Sequence, residues 1–163
     1  MTGTPTRTPP VLAIYRRLER LPAGHRVFST AVAWRAPYFR GIRPRFLSLA
    51  PGRGEVAMRN RWSVRNHLGT VHAIACCNLV EIAAGVTTEV TVPPGHRWIP
   101  TGMDVAYLAK ATTDLRAVAV VPDLTDLAAD ENRDLVVPVD VTDTAGTLVV
   151  HADVTMRLSP RSR

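Results

Sequence analysis

The sequence has little of what a disulfide-stabilised or membrane-spanning protein needs. Its 163 residues contain two cysteines, and these are adjacent, at positions 76 and 77, which excludes an ordinary disulfide scaffold. No run of about eighteen apolar residues is present to span a bilayer. The first ten residues are polar and proline-rich and lack the apolar core of a secretory signal. These absences predict a cytoplasmic protein whose residues 1–10 form a flexible tail.

Lysine is almost absent, because nineteen of the twenty basic residues are arginine. Residues 1–65 hold thirteen arginines against two acidic residues, whereas residues 66–163 hold seven basic and twelve acidic residues. An arginine-rich half suits nucleic acid, an anionic membrane surface or a phosphorylated small molecule. No nucleic-acid-binding motif and no interleaving of arginine with aromatic residues accompany it. We therefore expect no nucleic-acid or membrane partner and expect most of these arginines to be solvated.

The order of apolar patterns predicts one α+β domain preceded by helices. A chain of 163 residues is long enough for one domain with a hydrophobic core. Helical spacing covers residues 11–21 and 25–35, so residues 11–39 form a helical segment. The domain at 40–160 contains one long helix at 71–84, which Gly85 would cap, and strands at 45–49, 55–62, 89–92, 97–110 (interrupted near 100–102), 113–121, 135–141 and 148–158. We predict an antiparallel, curved sheet wrapped around this central helix.

The segment at 66–72, with the sequence NHLGTVH, places polar groups and a glycine directly before the central helix. A helix N-terminus presents unpaired backbone N–H groups and a partial positive charge, which stabilise a developing oxyanion. Nine residues after His72, Glu81 is the only carboxylate in the predicted helix, among small apolar residues. Packing does not explain a carboxylate there. The pattern indicates a site that polarises a carbonyl and supplies a base or nucleophile, and the alternative is a solvent-facing glutamate.

Glu81 cannot reach the start of its own helix. Nine residues at the helical rise put it about 13 Å away. If two copies pack around a two-fold axis with antiparallel central helices, Glu81 of one approaches the helix start of the other. A site built from both groups therefore requires a homodimer, which is free to assemble further into a tetramer.

The NHLGTVH segment with Glu81 resembles the active-site segment of hotdog-fold acyl-CoA thioesterases of the phenylacetate-degradation type. Those proteins have an Asn-x-x-Gly-Thr-x-His-Gly-Gly segment before the central helix and an acidic residue nine positions after the histidine. The resemblance covers residues 40–160. With residues 36–38 (APY) and 97–100 (RWIP) included, the chain resembles still more closely a bacterial hotdog branch labelled only as a domain of unknown function.

This resemblance implies three catalytic residues. Glu81 takes the acidic position that acts as general base or nucleophile. Asn66 takes the position that orients substrate or water, and His72 takes the position near the thioester carbonyl. The implied substrate is acyl-CoA or a related acyl thioester. Arg59, Arg61 and Arg65 are candidates for contacting its phosphates because they lie close to the motif.

Gly69, Thr70 and Ala73 take substrate-binding positions in the same comparison, and Ala73 replaces the glycine whose backbone N–H contacts the oxyanion. Alanine keeps that N–H group. Ala73 and Ile74 stand where the thioesterases have two glycines, so the space at the helix start is narrower. This departure keeps a second function open, a hotdog protein that binds an acyl chain or acyl-CoA without hydrolysing it, and a purely structural domain is a third. The Asp-x-x-x-x-His pattern of hydratase-type hotdog proteins is missing at the matching place.

Other chemistry-bearing residues receive simpler interpretations. His72 and Cys76 lie one helical turn apart, but a single such pair is a weak metal-binding pattern. We expect no metal and no cofactor. Trp34, Trp62 and Trp98 are predicted to lie in the core or at a dimer interface rather than to bind substrate.

Overall fold

The computed structural model describes residues 8–161. Most of the predicted tail at 1–10 therefore lies outside the described residues. The helices are α1 (Pro10–Leu18), α2 (Gly24–Arg35) and α3 (Ala73–Thr91), with 3-10 turns at Pro37–Gly41 and Trp62–Val64. The strands are β1 (Arg45–Ala50), β2 (Arg53–Met58), β3 (His96–Tyr107), β4 (Leu115–Val120), β5 (Arg133–Thr142) and β6 (Leu148–Pro160). This order confirms the predicted α+β hotdog architecture.

The six strands form one antiparallel sheet in the order β1-β2-β4-β5-β6-β3. Alternate residues on β2, β4, β5 and β6 face α3 and are buried, which is the pattern of a sheet with one covered face. The buried side chains include Val56, Ala117, Val139, Val154 and Met156. They pack against Leu79, Val80 and Ala83 of α3, so the core lies between the helix and the sheet.

Strand β3 lies at one edge of the sheet and pairs only with β6 among the described strands. Its register shifts between Pro100 and Gly102, where the sequence predicts an interruption. Most of its residues are exposed, including Ile99, Met103 and Tyr107. A long edge strand with exposed apolar side chains is a surface on which another chain can pair.

Helix α3 is longer than the sequence predicts. Gly85 does not cap it, because the helix continues to Thr91 and replaces the strand expected at 89–92. Gly85 serves close packing instead, since a Cβ atom there would lie 3.0 Å from Cη2 of Trp98. By length and mean hydropathy α3 would also suit a bilayer, but more than half of it is buried inside the protein. It is the core helix of the sheet.

The two N-terminal helices pack on each other and on β1, and α1 also contacts α3. Tyr15, Phe28 and Phe46 stack edge to face, with centroid distances of 5.0 and 5.2 Å. Trp98 packs against the core, as predicted. Trp34 and Trp62 do not, because 65% and 87% of these side chains are exposed. These two residues therefore lie outside the core of a single chain, and their placement at a dimer interface stays a prediction.

Candidate functional site

The loop before α3 is held in shape by the side chain of Asn66. Its Oδ1 accepts hydrogen bonds from the backbone N–H groups of Leu68 (2.9 Å) and Thr70 (3.2 Å), and its Nδ2 donates to Oγ1 of Thr70 (2.9 Å). Gly69 occupies the left-handed region with φ of +79°, where side chains other than glycine are strained. Asn66 therefore fixes the approach to the helix, and both ends of its amide are used in doing so.

His72 caps the N-terminus of α3. Its Nδ1 accepts a hydrogen bond of 3.1 Å from the backbone N–H of Ile74, which satisfies one of the donors that a helix start leaves open. In the neutral ring this contact makes Nδ1 the acceptor and puts the proton on Nε2. Nε2–H of this exposed residue makes no hydrogen bond with residues 8–161 and is therefore available as a donor.

The Ala73 N–H group has no hydrogen-bond partner among residues 8–161. Beside it, Tyr107 of β3 lies 3.0 Å (Oη to Sγ) from Cys77 and 3.4 Å from the Ala73 carbonyl oxygen. The hydrogen bond with Cys77, followed by burial, raises the pKa of Tyr107 to about 12, so the hydroxyl keeps its proton at neutral pH. The sequence analysis missed Tyr107, because nothing in the chain around 107 links it to the helix start.

Cys76 packs as an inert core residue. Burial, with a smaller contribution from Cys77, raises the pKa of its thiol to about 11. A thiol that stays protonated is a poor nucleophile. The described residues contain no group of three His, Cys, Asp or Glu side chains placed to hold a metal.

Glu81 lies half-buried on the face of α3 that the sheet leaves open. It lines a cavity of about 430 Å³ between α3, the start of β3 and the two N-terminal helices. The other lining residues are mostly apolar: Val11, Val32, Ala36, Phe39, Ile82, Gly85, Val86, Trp98, Pro100 and Met156, with Arg35 and Glu89. The N-terminal helices thus form part of this cavity.

Two carboxylates line this cavity, and they differ in their contacts. Glu89 accepts a hydrogen bond of 2.7 Å (Nε1 to Oε2) from the indole of Trp98. The carboxylate of Glu81 makes no hydrogen bond or ion pair with any of residues 8–161. Glu89 was missed in the sequence because residues 89–92 are predicted as a strand. Continued helical spacing from Glu81 through Gly85 would have placed it on the same face.

The predicted site residues fall into two groups that one chain does not bring together. Asn66, Gly69, Thr70, His72 and Ala73 surround the start of α3, and none of them lines the cavity that contains Glu81. Of the candidate phosphate contacts, Arg61 donates to the Gly41 carbonyl (2.9 Å) and Arg65 to Oδ1 of Asn60 (2.8 Å). Arg59 lines a separate groove.

Comparison with solved structures identifies the fold. Among solved structures, a structural genomics protein with 43% identity has a TM-score of 0.77, and the match covers 93% of this chain and 99% of that one. The Pseudomonas aeruginosa protein PA5026, described as of unknown function and a probable thioesterase, has 18% identity, a TM-score of 0.71 and coverage of 86% and 97%. The Haemophilus influenzae thioesterase HI1161 has 13% identity, a TM-score of 0.66 and coverage of 76% and 82%. At the two lower identities the likeness shows the fold alone.

No curated protein matches the chain. Residues 24–158 match the family described as domain of unknown function DUF4442, which spans more than half of the sequence and confirms the resemblance to a hotdog branch without an assigned function. The chain therefore belongs to the DUF4442 family and has the hotdog fold.

Proposed function

We propose that this protein hydrolyses acyl-CoA or a related acyl thioester as a homodimer in the cytoplasm. The observation that carries the proposal is Glu81, a carboxylate with no bonded partner among residues 8–161 that faces a largely apolar cavity. A free carboxylate beside apolar surface is suited to taking a proton from water or to attacking a bound acyl group directly. The cavity is of the size that small ligands occupy.

The start of α3 supplies the complementary half of the site. The thioester carbonyl lies against the open Ala73 N–H, where the helix dipole favours negative charge on its oxygen. The Nε2–H of His72, left available because Nδ1 accepts from Ile74, is a second donor to that oxygen. Gly69 and Thr70 shape the loop beside the substrate, and Asn66 holds that loop in place.

A second copy of the chain brings the two halves together. The exposed edge of β3 is the surface available for pairing. A two-fold arrangement of this kind sets Glu81 of one copy against the helix start of the other, so each dimer has two equal sites. Glu81 takes a proton from water as the water oxygen attacks the carbonyl carbon, and the helix start holds the resulting oxyanion. When the tetrahedral intermediate collapses, the C–S bond breaks and the sulfur leaves as a thiol with the proton from Glu81.

The first experiment measures thiol release from short, medium, long and aryl acyl-CoA esters. Wild-type protein should release free thiol, and Glu81→Ala should lower kcat by about 10²-fold or more, the usual contribution of a general base. Glu19→Ala, which removes an exposed glutamate at the end of α1, should retain full activity. If wild type and Glu81→Ala are equally inert on every ester, the protein is not this hydrolase.

Mixed dimers test the sharing of sites between subunits. Glu81→Ala and His72→Ala should each be inactive alone. Randomly mixed, half of the dimers carry one intact site of two, so activity should return to about a quarter of wild type. Absence of recovery in a mixture shown to contain mixed dimers would contradict a site that spans two copies.

One observation favours a second function, acyl binding without turnover. Ile74 is 54% exposed at the helix start, where the thioesterases have a glycine, and its side chain takes up room beside the carbonyl position. Saturable binding of an acyl-CoA by calorimetry with no thiol release would support this function. In that case Ile74→Gly should restore turnover.

A further inference from the structure

A wide groove of about 1100 Å³ lies between α2, the turn at Pro37–Gly41, and strands β1 and β2. It is separate from the Glu81 cavity and shares none of its lining residues. Five arginines line it, at positions 26, 40, 43, 45 and 59, against one acidic residue, Asp114. Oδ1 of Asp114 already accepts a hydrogen bond of 2.8 Å from the backbone N–H of Asn60.

The arginines of this groove differ in their ion pairing from the arginines on strands β2, β4, β5 and β6. Arg53 and Arg116 both pair with Glu55, Arg133 pairs with Asp126 and Glu131, and Arg157 pairs with Asp134. None of the five groove arginines forms an ion pair in the part of the chain that the structure describes.

Unpaired like charges gathered around a concave surface create a positive potential that attracts anions. The positive charge of the groove also affects Arg61, which lies close to Arg43. Burial, followed by the charge of Arg43, lowers the pKa of Arg61. The five guanidinium groups are therefore available to an external anion, and several phosphates fit their fork geometry.

The same groove contains an exposed aromatic side chain, that of Trp34. Trp34 is 65% exposed, and Cζ of Arg40 lies 4.4 Å from its ring centroid. The ring also borders a shallower depression with Val27 and Thr30, so it is reachable from more than one side. An exposed indole beside guanidinium groups is a surface on which a planar base stacks.

A short segment connects the groove to the start of α3. Arg59 lines the groove, and the next residue, Asn60, bonds to Asp114 in the groove wall. Oδ1 of Asn60 accepts from Nε of Arg65, which directly precedes Asn66. A ligand with its anionic end in the groove is thus anchored at one end of residues 59–72, and the proposed carbonyl position lies at the other.

We propose that this groove binds the 3′-phosphorylated adenosine diphosphate portion of coenzyme A. Adenine stacks on Trp34, and the phosphates contact Arg43, Arg45 and Arg59. The assignment of CoA as carrier rests on the proposed thioester hydrolysis, whereas occupation of the groove by this nucleotide is measurable without turnover. A concave groove that holds both an aromatic ring and clustered guanidinium groups favours one nucleotide over an acidic carrier protein.

Calorimetry with CoA, dephospho-CoA and pantetheine tests the groove directly. Wild type should bind CoA about tenfold more tightly than dephospho-CoA, the loss that one charge-assisted contact brings. The double variant Arg45→Ala/Arg59→Ala should bind CoA at least tenfold more weakly and lose most of this preference. Arg16→Ala/Arg17→Ala, which removes the same charge from exposed positions on α1, should bind as wild type does.

Trp34 supplies a matched pair of variants. Trp34→Phe keeps a stacking ring and should retain most CoA affinity, whereas Trp34→Ala should lose about tenfold, the effect of one stacked base. Neither variant removes a hydrogen bond of the described residues, so thermal unfolding should stay close to wild type. Equal CoA affinity in wild type, Arg45→Ala/Arg59→Ala and Trp34→Ala would overturn the proposal.

Hydrolysis of two carriers separates this proposal from the proposed function. Arg45→Ala/Arg59→Ala should raise KM for acyl-CoA about tenfold or more while leaving hydrolysis of an acyl-N-acetylcysteamine unchanged, because that ester has no nucleotide. If wild type hydrolyses both esters but the variant binds CoA normally, the groove proposal fails and hydrolysis stands. If wild type hydrolyses neither, calorimetry still decides the groove. Impaired hydrolysis of acyl carrier protein thioesters with unchanged CoA binding would assign the groove to that protein and overturn the nucleotide.

Discussion

Trp98 donates its indole N–H to Oε2 of Glu89 over 2.7 Å, and this bond fastens the start of the edge strand to the last turns of the central helix. The same indole lies against Gly85 and forms a wall of the Glu81 cavity. The shape of that cavity therefore depends on one tryptophan, which is held by the hydrogen bond to Glu89 and by close packing on Gly85.

Trp98→Phe should lower the free energy of unfolding by about 1–3 kcal/mol, because it removes the donor to a half-buried carboxylate along with part of the packed ring. Chemical denaturation measures this change. Trp62→Phe is the matched control, since Trp62 is exposed, and it should change stability by less than about 0.5 kcal/mol. Equal effects of the two variants would show that the Glu89 bond contributes nothing.

Asn66 allows a test of whether its amide acts on the loop or on the substrate. Asn66→Asp keeps the acceptor for Leu68 and Thr70, and the Thr70 hydroxyl can donate to the new carboxylate. We expect unchanged stability and most of the hydrolytic activity. Asn66→Ala should lose most of the proposed hydrolytic activity, and its free energy of unfolding should fall by about 1–2 kcal/mol. Loss of turnover in Asn66→Asp at unchanged stability would instead show that the amide N–H contacts the reacting groups.

Gly24 lies where α2 begins against the end of α1. A Cβ atom at this position would fall 1.7 Å from the Leu18 carbonyl oxygen, so Gly24→Ala should force the two helices apart and lower Tm. Gly95→Ala adds the same methyl group where no atom lies within 4 Å, and it should leave Tm nearly unchanged. The prediction is wrong if the two variants have the same Tm.

His151 should titrate above its ordinary value. Its Nδ1 lies 2.7 Å from Oδ1 of Asp140, and this hydrogen bond raises the pKa of the imidazole. Because the folded pKa exceeds the unfolded value, the stabilisation is fully present below about pH 6.5 and is lost as the pH rises through the folded pKa. An NMR titration of the His151 ring measures the shift, and Asp140→Asn should bring the pKa down. An unchanged midpoint in that variant would remove Asp140 as the cause.

The fold was largely predictable, but the end of the central helix was not. The β-branched residues after Gly85 favour a strand by propensity, yet the sheet buries them as helix. Thr87 and Thr91 adapt because their hydroxyls donate to the carbonyls of Ala83 and Thr87, each at 2.6 Å. Burial thus outweighs local preference here.

The two parts of the candidate site differed in how far the sequence revealed them. The helix start is encoded locally, so residues 66–73 were recognisable from their spacing. The cavity around Glu81 is assembled from Val11, Phe39, Trp98 and Met156, which are far apart in the chain. Only the folded sheet brings them together, and the same is true of the groove that unites Trp34 with Arg59 and Asp114.

The N-terminal helices that wall this cavity are encoded apart from the loop that shapes the start of α3. Natural variation in the first forty residues would therefore remodel the space beside Glu81 without touching the amide at Ala73. Under the proposed function, members of the family with different first helices should differ in which acyl groups they accept. Exchanging that segment between two such members would transfer their preference.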